Sequence, residues 1–332
     1  MRSFDLLRVA TLDEAIRSGA VAGRTDSDRM FIGGGTDMIQ LLREDVVQPK
    51  TIVSLGNVLD KTIKLDATGL SVGAGATMAE LSSHALVQER YPLIVDALLN
   101  SASPQVRNQA TIAGNLLQRT RCPYFRDTGC HACNKRAPGS GCAAIGGANR
   151  WHALLGTSEH CIATHASDLA VALVALGATV SIKGPSTARH ASLQDFYQLP
   201  GTTPHIEATL MPGELIDAII VPPAMEGLSS SYIKVRDRAS FEFAVVSAAV
   251  ALDVDGGLIR QARVAVGGVA TRPWRLPLVE DRLRGLQLEE DCVRSAADAA
   301  SRGAVGRGDN DFKIDLMKRA IVRAVQAAGG IK

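Results

Sequence analysis

Five of the six cysteines fall between positions 122 and 161, in the spacing C-x7-C-x2-C-x8-C-x18-C formed by Cys122, Cys130, Cys133, Cys142 and Cys161. Four thiolates complete a tetrahedral zinc site or hold an iron–sulfur cluster, so the set satisfies either with one thiol to spare. Six cysteines in 332 residues are too few, and too clustered, for a disulfide framework. The surroundings are basic: Arg119, Arg121, Arg126, Lys135, Arg136 and Arg150 stand against Asp127 and Glu159, which suits a site of net negative charge. The paired C-x2-C arrangement of zinc ribbons is missing, which favours a cluster. The single Cys130–Cys133 pair keeps zinc open. His131, His152, His160 and His165 are secondary candidates as imidazole ligands, although loop histidines more often face solvent or form hydrogen bonds. Cys292 lies on a helical pattern and reads as a small buried residue.

A second chemistry is written in FIGGGTDMIQLL. Gly33, Gly34 and Gly35 separate an apolar strand from an amphipathic helix opening at Thr36 or Asp37. Consecutive glycines let a backbone approach a ligand and turn several N–H groups inward, which suits the oxygens of a pyrophosphate. Met38 stands where a G-x-G-x-x-G fingerprint would need glycine, and no G-x-x-x-x-G-K-[ST] is present. Taken alone, the run is equally well a tight turn needing glycine for its dihedral angles. A second turn, NQATIAGNLLQ, sets Thr111, Gly114 and Asn115 between apolar flanks. The pairing of the two turns favours a ligand over two unrelated loops.

Elements of mixed type must position these turns. RMFIGG, KTIVSL and GLSVGAG read as strands, TDMIQLLRED and TMAELSSHALV as helices, and Thr77 with Glu80 forms a capping box at a helix start. From about 118 to 151 the periodicity fails, and a stretch that long needs something to organise it. SDLAVALVALGATVSIKG then reads as a helix followed by a strand. Pro, Gly and Ser cluster in VPPAMEGLSSS between two strand-like runs, which places a domain boundary near residue 222. Beyond it come strands in AVVSAAVALDV and RVAVGGVA, then helices near 288 to 303 and 311 to 328. The pattern is that of an α+β chain.

Composition narrows the function. Lys and Arg number 36 against 34 Asp and Glu, giving no general electrostatic case for nucleic acid or an anionic membrane. Charges interrupt the first apolar run, so no secretory signal is visible, and no apolar stretch has the length of a membrane span. The expectation is cytoplasmic assembly without membrane insertion, or export on a signal-bearing partner. No G-x-S-x-G or H-E-x-x-H occurs, and Asp168 and Glu242 read as hydrogen-bonding or surface groups rather than an acid/base pair.

With both turns and the cysteine loop in hand, the chain resembles the FAD-binding medium subunits of the molybdenum hydroxylase (xanthine dehydrogenase) family over essentially its whole length. Within that family it is most similar to the flavin subunit of bacterial periplasmic aldehyde oxidoreductases. FIGGGTDM, VRNQATIAGNLLQRTRCPYF, CNKRAPGSGCAA, CIATHASDLAVAL, YIKVRDRASF and GGVATRPWR carry the likeness. The resemblance implies a two-lobed FAD-binding domain of the vanillyl-alcohol-oxidase (PCMH) type over residues 1–222, with lobes of about 1–57 and 58–222 and an iron–sulfur loop of about 119–161. A smaller α+β domain follows over 223–332. It implies FAD held by Ile32, Gly33, Gly34, Gly35, Thr36, Asp37 and Met38 and by Thr111, Gly114 and Asn115, with Asp168 and Lys234 as further contacts. It also implies a [4Fe–4S] cluster on Cys122, Cys133, Cys142 and Cys161. Cys130 is then the spare, although an extra residue in TGCHAC leaves an exchange between Cys130 and Cys133 open. The implied partners are a molybdenum-cofactor large subunit, a [2Fe–2S] small subunit and an external electron acceptor. In that scheme no catalytic acid, base or nucleophile belongs to this chain. The alternatives are the flavin and iron–sulfur subunit of a 4-hydroxybenzoyl-CoA reductase-like enzyme and, in a different class, a zinc-stabilised nucleotide-binding module.

Overall fold

The computed structural model describes residues 1–21, 27–130, 132–186, 188–224 and 227–331. His131, one of the possible imidazole ligands, lies outside the described residues, as do positions 225 and 226 in the linker.

Strands Asp5–Arg8, Thr51–Ser54 and Arg29–Ile32 form a parallel sheet in that order. Parallel pairing demands crossovers, and helices Leu12–Arg17 and Met38–Arg43 lie in the two connections. Because successive side chains point to opposite faces, Met30 and Ile52 pack with Leu41, Leu42, Cys122 and Phe125, while Phe31 and Val53 pack with Ala15 and Ile16. One face of this small sheet is thus the floor on which the cysteine loop rests.

A five-stranded antiparallel sheet follows, ordered Ile63–Asp66, Gly69–Gly73, Leu215–Val221, Thr179–Lys183, Ala188–Ser192. A four-stranded antiparallel sheet runs Trp274–Arg275, Leu258–Gly267, Val246–Asp255, Ser229–Val235. Helices Pro277–Leu283, Glu290–Ala297 and Lys313–Ala328 cover one face of it through the core around Val250, Val264 and Ile321. Helix Asp168–Ala175 packs against helix Pro92–Leu99 and against the four-stranded sheet, and all eight of its residues are buried. That explains a sequence apolar on every side after Asp168. The fold is α+β, with a two-lobed arrangement ahead of the C-terminal sheet.

The capping box forms as read: Thr77 Oγ1 accepts from Glu80 N–H at 3.1 Å, and Glu80 Oε2 accepts from Thr77 N–H at 2.7 Å. The helix it opens is shorter than expected. TMAELSSHALV breaks at His84 into Met78–Ser83 and Ala85–Arg90. The Ser82 and Ser83 hydroxyls bond back to the Ala79 carbonyl, an alternative to helix propagation. Cys292 is on a helix but half-exposed, which corrects its reading as buried. The helix turns its apolar stripe, Val293, Ala296 and Ala297, to the core instead.

Candidate functional site

The two turns expected to meet a ligand meet each other. Gly34 lies so close to the 109–110 backbone that a Cβ there would stand 1.8 Å from the Gln109 carbonyl oxygen, and Gly35 has φ of +75°. Glycine is therefore required at 34 by contact and at 35 by handedness. Opposite, Thr111 caps the short helix Ile112–Leu116 by accepting from Gly114 N–H at 3.2 Å. Met78 N–H to Ala110 O (2.9 Å) and Ile112 N–H to Ala76 O (2.8 Å) fix this turn to the neighbouring loop. Asn115 is buried, its amide oxygen accepting from Ser167 Oγ at 2.6 Å.

Between the turns lies a cavity of about 410 Å³, within the usual range for small-molecule and cofactor sites. Ile32, Gly33, Gly34, Gly35, Thr36, Asp37, Met38, Thr111, Gly114, Asn115, Asp168 and Lys234 all line it. Asp168 and Lys234 are largely spent on protein contacts. Lys234 Nζ donates to Asp168 Oδ2 (2.8 Å) and to the Asn100 carbonyl (3.0 Å), while Asp168 also accepts from Ser101 Oγ (2.9 Å) and Tyr232 OH (2.7 Å). This buried knot holds residues 100–102 against the cavity. Asp37 is committed as well: it accepts from Arg119 N–H (2.8 Å), Arg126 Nη2 (2.7 Å) and Arg121 Nη2 (3.0 Å).

Several lining residues were not singled out from the sequence. Arg119 is buried and pairs with Glu207 through Nε, and its Nη1 and Nη2 have no partner among the described residues. Arg121 borders the same space, its guanidinium over the Phe243 ring at 4.8 Å. Buried guanidinium donors left unsatisfied are costly, and phosphate oxygens suit their geometry. A cavity with apolar walls and two arginines at one side fits a dinucleotide carrying a pyrophosphate. Ala102 and Phe241, also in the wall, have φ of 52° and 51°. Backbone strain of this kind concentrates where a ligand is clamped. The signal available in the sequence was the basic run QRTR directly after the second turn.

The cysteine loop leaves that turn at once. Cys122 begins the helix Pro123–Arg126, Cys133 and Cys142 pair as partners in an isolated antiparallel bridge, and Cys122, Cys133 and Cys161 are buried in one cluster. Burial pushes the Cys122 thiol up to about 12, opposed by the Phe125 N–H and reinforced by the nearby Cys161 and Cys133 sulfurs. Burial raises Cys133 and Cys161 in the same way, and Cys142 acts on Cys161. Thiols so placed stay protonated unless a positive centre takes the proton's place. Backbone N–H groups already aim at the sulfurs, that of Ala163 at Cys161 Sγ among them (3.4 Å). Cys130 is half-exposed, its carbonyl held by Arg136. Of the histidines, His152 Nε2 lies 3.2 Å from Cys122 Sγ, His160 is exposed, and His165 faces a different cavity. Among the described residues no three His, Cys, Asp or Glu side chains close on a single metal ion. Four thiols share one neighbourhood without single-ion geometry.

The fold and this cavity define a class. Residues 2–224 match the FAD binding domain in molybdopterin dehydrogenase and residues 231–328 the CO dehydrogenase flavoprotein C-terminal domain, so the chain belongs to the FAD-binding medium subunits of the molybdenum hydroxylase family and is an oxidoreductase subunit. Among particular proteins, it is 44% identical to the aldehyde oxidoreductase FAD-binding subunit PaoB of Escherichia coli K12, with 99% of each chain covered. It is 27% identical to the glyceraldehyde dehydrogenase medium chain of Sulfolobus acidocaldarius, over 97% of this chain and 96% of that one. The Cu,Mo-CO dehydrogenase structure in its cyanide-inactivated form shares the fold, with a TM-score of 0.76, 22% identity, and 99% and 98% of the chains covered. FAD is the cofactor that the family description names; neither it nor these relatives' names mention an iron–sulfur cluster. Among the described residues no helix is long and apolar enough to cross a membrane.

Proposed function

We propose that this chain carries FAD and a [4Fe–4S] cluster as the electron-transfer subunit of a molybdenum-containing aldehyde oxidoreductase. It receives electrons from a molybdenum-cofactor large subunit and a [2Fe–2S] small subunit and hands them to an external acceptor. Residues 1–222 form the cofactor-bearing domain in this reading, and 223–332 the domain that backs it. The aldehyde rests on the 44% identity to the Escherichia coli aldehyde oxidoreductase subunit along 99% of the chain.

The observation that carries the two-cofactor reading is the carboxylate of Asp37. It stands at the end of the glycine turn and accepts from Arg119 and Arg121, which lead into Cys122, and from Arg126 just beyond it. One residue thus ties the wall of the FAD cavity to the loop bearing Cys122, Cys133, Cys142 and Cys161. Ile32 to Met38 and Thr111, Gly114 and Asn115 bind the dinucleotide through backbone and hydroxyl groups. Arg119 and Arg121 neutralise its phosphates. The Asp168–Lys234 pair orients the segment 100–102 against it. FAD, when bound, supplies a store for two electrons that can be loaded and drained singly; the chain's part is placement and electrostatics.

Absorbance spectra and metal analysis of the anaerobically purified chain test this. Flavin bands with about four irons per chain are expected. Flavin without iron would remove the cluster and leave the flavoprotein; zinc without flavin would remove both.

A further inference from the structure

A second cavity, of about 400 Å³, lies across the segment 116–120 from the first, and Leu117 and Gln118 line both. Cys161, Lys135 and Glu207 share its wall. Lys135 follows Cys133 by two residues in the cysteine loop and is buried. Its Nζ donates to Glu207 Oε1 at 2.7 Å and to the Pro204 carbonyl at 2.9 Å. The preceding residue, Asn134, donates through Nδ2 to the His160 carbonyl at 3.1 Å, which sets this segment beside Cys161. Glu207 also pairs with Nε of Arg119, whose guanidinium lies over the Phe125 ring, 4.9 Å from its centroid. Phe125 packs in one cluster with Cys122, Cys133 and Cys161. Two cations thus share one carboxylate against the cysteines, and the group is net positive. Its charges reach the sulfur: burial raises the Cys161 thiol, Lys135 opposes the rise and Glu207 adds to it.

The potential of an iron–sulfur cluster depends on the charge around it, and a neighbouring cation favours the reduced state because that state carries one more negative charge. The effect is strongest where water is excluded. We propose that Lys135 tunes the reduction potential of the cluster, holding it higher than the thiolates alone would, and that Glu207 sets how much of that positive charge the cluster feels. The proposal rests on the cluster reading above. Lys135 acts through space and takes no part in the chemistry: the cluster gains one electron from the reduced relay, and no proton or bond changes at the lysine. A salt link that merely stapled the cysteine loop to residues 204–207 would behave differently, since losing either partner would loosen it alike. A charge effect has opposite signs at the two positions.

The test is a potentiometric titration of the anaerobically purified full chain, with the reduced cluster followed by electron paramagnetic resonance and iron and FAD measured in each sample. Lys135→Met should raise the oxidised-to-reduced ratio at a fixed potential about tenfold, equivalent to a midpoint lower by about 59 mV for one electron. Glu207→Gln should move the midpoint upward, and Lys135→Arg, which keeps the charge, should stay close to wild type. Iron-loaded variants whose midpoints do not move, or move in the same direction, would overturn the proposal and leave the cluster in place. An iron-free wild-type chain would remove the cluster and the proposal with it. If only one of Lys135→Met and Glu207→Gln takes up iron, the sign of its shift decides; loss of iron from both beside a loaded wild type would show a staple and overturn the tuning.

Discussion

Gly34→Ala tests the cavity at its tightest point. The new Cβ would meet Gln109 O at 1.8 Å, Gln109 C at 2.7 Å and Ala110 Cα at 3.3 Å. All three are backbone atoms, so no side chain can rotate away. Reaching the shortest separation real Cβ atoms show, 3.0 Å, requires the turns to part by 3.0 − 1.8 = 1.2 Å. The far side resists: Gln109 and Ala110 N–H both bond Val106 O, and Ala110 O accepts from Met78 N–H. Overpacking of this kind costs about 1–3 kcal/mol, which lowers the melting temperature by a few degrees. Parting the turns also separates groups that grip the ligand from opposite sides, and a loss of only about 1.4 kcal/mol there is tenfold in Kd. Gly56→Ala is the control, since a Cβ at Gly56 meets nothing within 4 Å. Thermal unfolding and FAD titration by fluorescence quenching are the assays. A Gly34→Ala chain that melts and binds FAD like wild type would refute the account of the two turns as one clamp.

Three further outcomes are expected. Lys234→Met strands Asp168 in a buried site, where the pair's side chains are 1% and 7% exposed, and should cost about 3–5 kcal/mol in urea unfolding; adding Asp168→Leu should recover part of the loss, and a strictly additive double mutant would disprove the coupling. Lys313 is buried, donates to the carbonyls of His152 and Gly268, and is lowered to about 7, mainly by burial. Between pH 7 and the unfolded value of about 10.4 the unfolded chain binds the proton that the folded chain has shed, so stability should rise with pH across that window and level off below it, where both states carry the proton. Lys313→Met should flatten the profile of melting temperature against pH, and an unchanged slope would refute the assignment. Cys133→Ser should abolish iron binding and Cys130→Ser should spare it; iron lost only at Cys130 would exchange the two.

The parts of the site visible in the sequence are those whose residue type does the work locally. Gly34 and Gly35 are demanded by contact and handedness at their own positions, and the Thr77–Glu80 box completes within four residues, so each leaves a readable mark. Ser101 and Phe241 leave none, because the chain brings them to the cavity from two separate segments and serine and phenylalanine are ordinary at each place. The same limit explains the helix read across His84: amphipathic period is a property of the segment, whereas its interruption depends on serine hydroxyls choosing the Ala79 carbonyl. Cys292 misled for the converse reason. Cysteine is buried more often than not, but which stripe of a helix faces the core is decided by what it packs on.

A relay needs its carriers at a fixed separation, and a loop of some forty residues with little regular structure is a poor ruler by itself. Seven chain steps from Asn115 to Cys122 bound the backbone separation at about 25 Å when fully extended, which leaves a wide range of shorter distances. The structure narrows it by anchoring rather than by stiffening. Asp37 takes Arg119, Arg121 and Arg126 on one carboxylate, and charge-assisted bonds of this kind are among the stronger ones available. Phe125 is fully buried against the same small sheet that launches the glycine turn. The cysteine loop is therefore registered to the FAD cavity through the sheet and through Asp37 at once. The segment between them also forms the wall that separates the two cavities, so a shift in that one segment would alter both sites together.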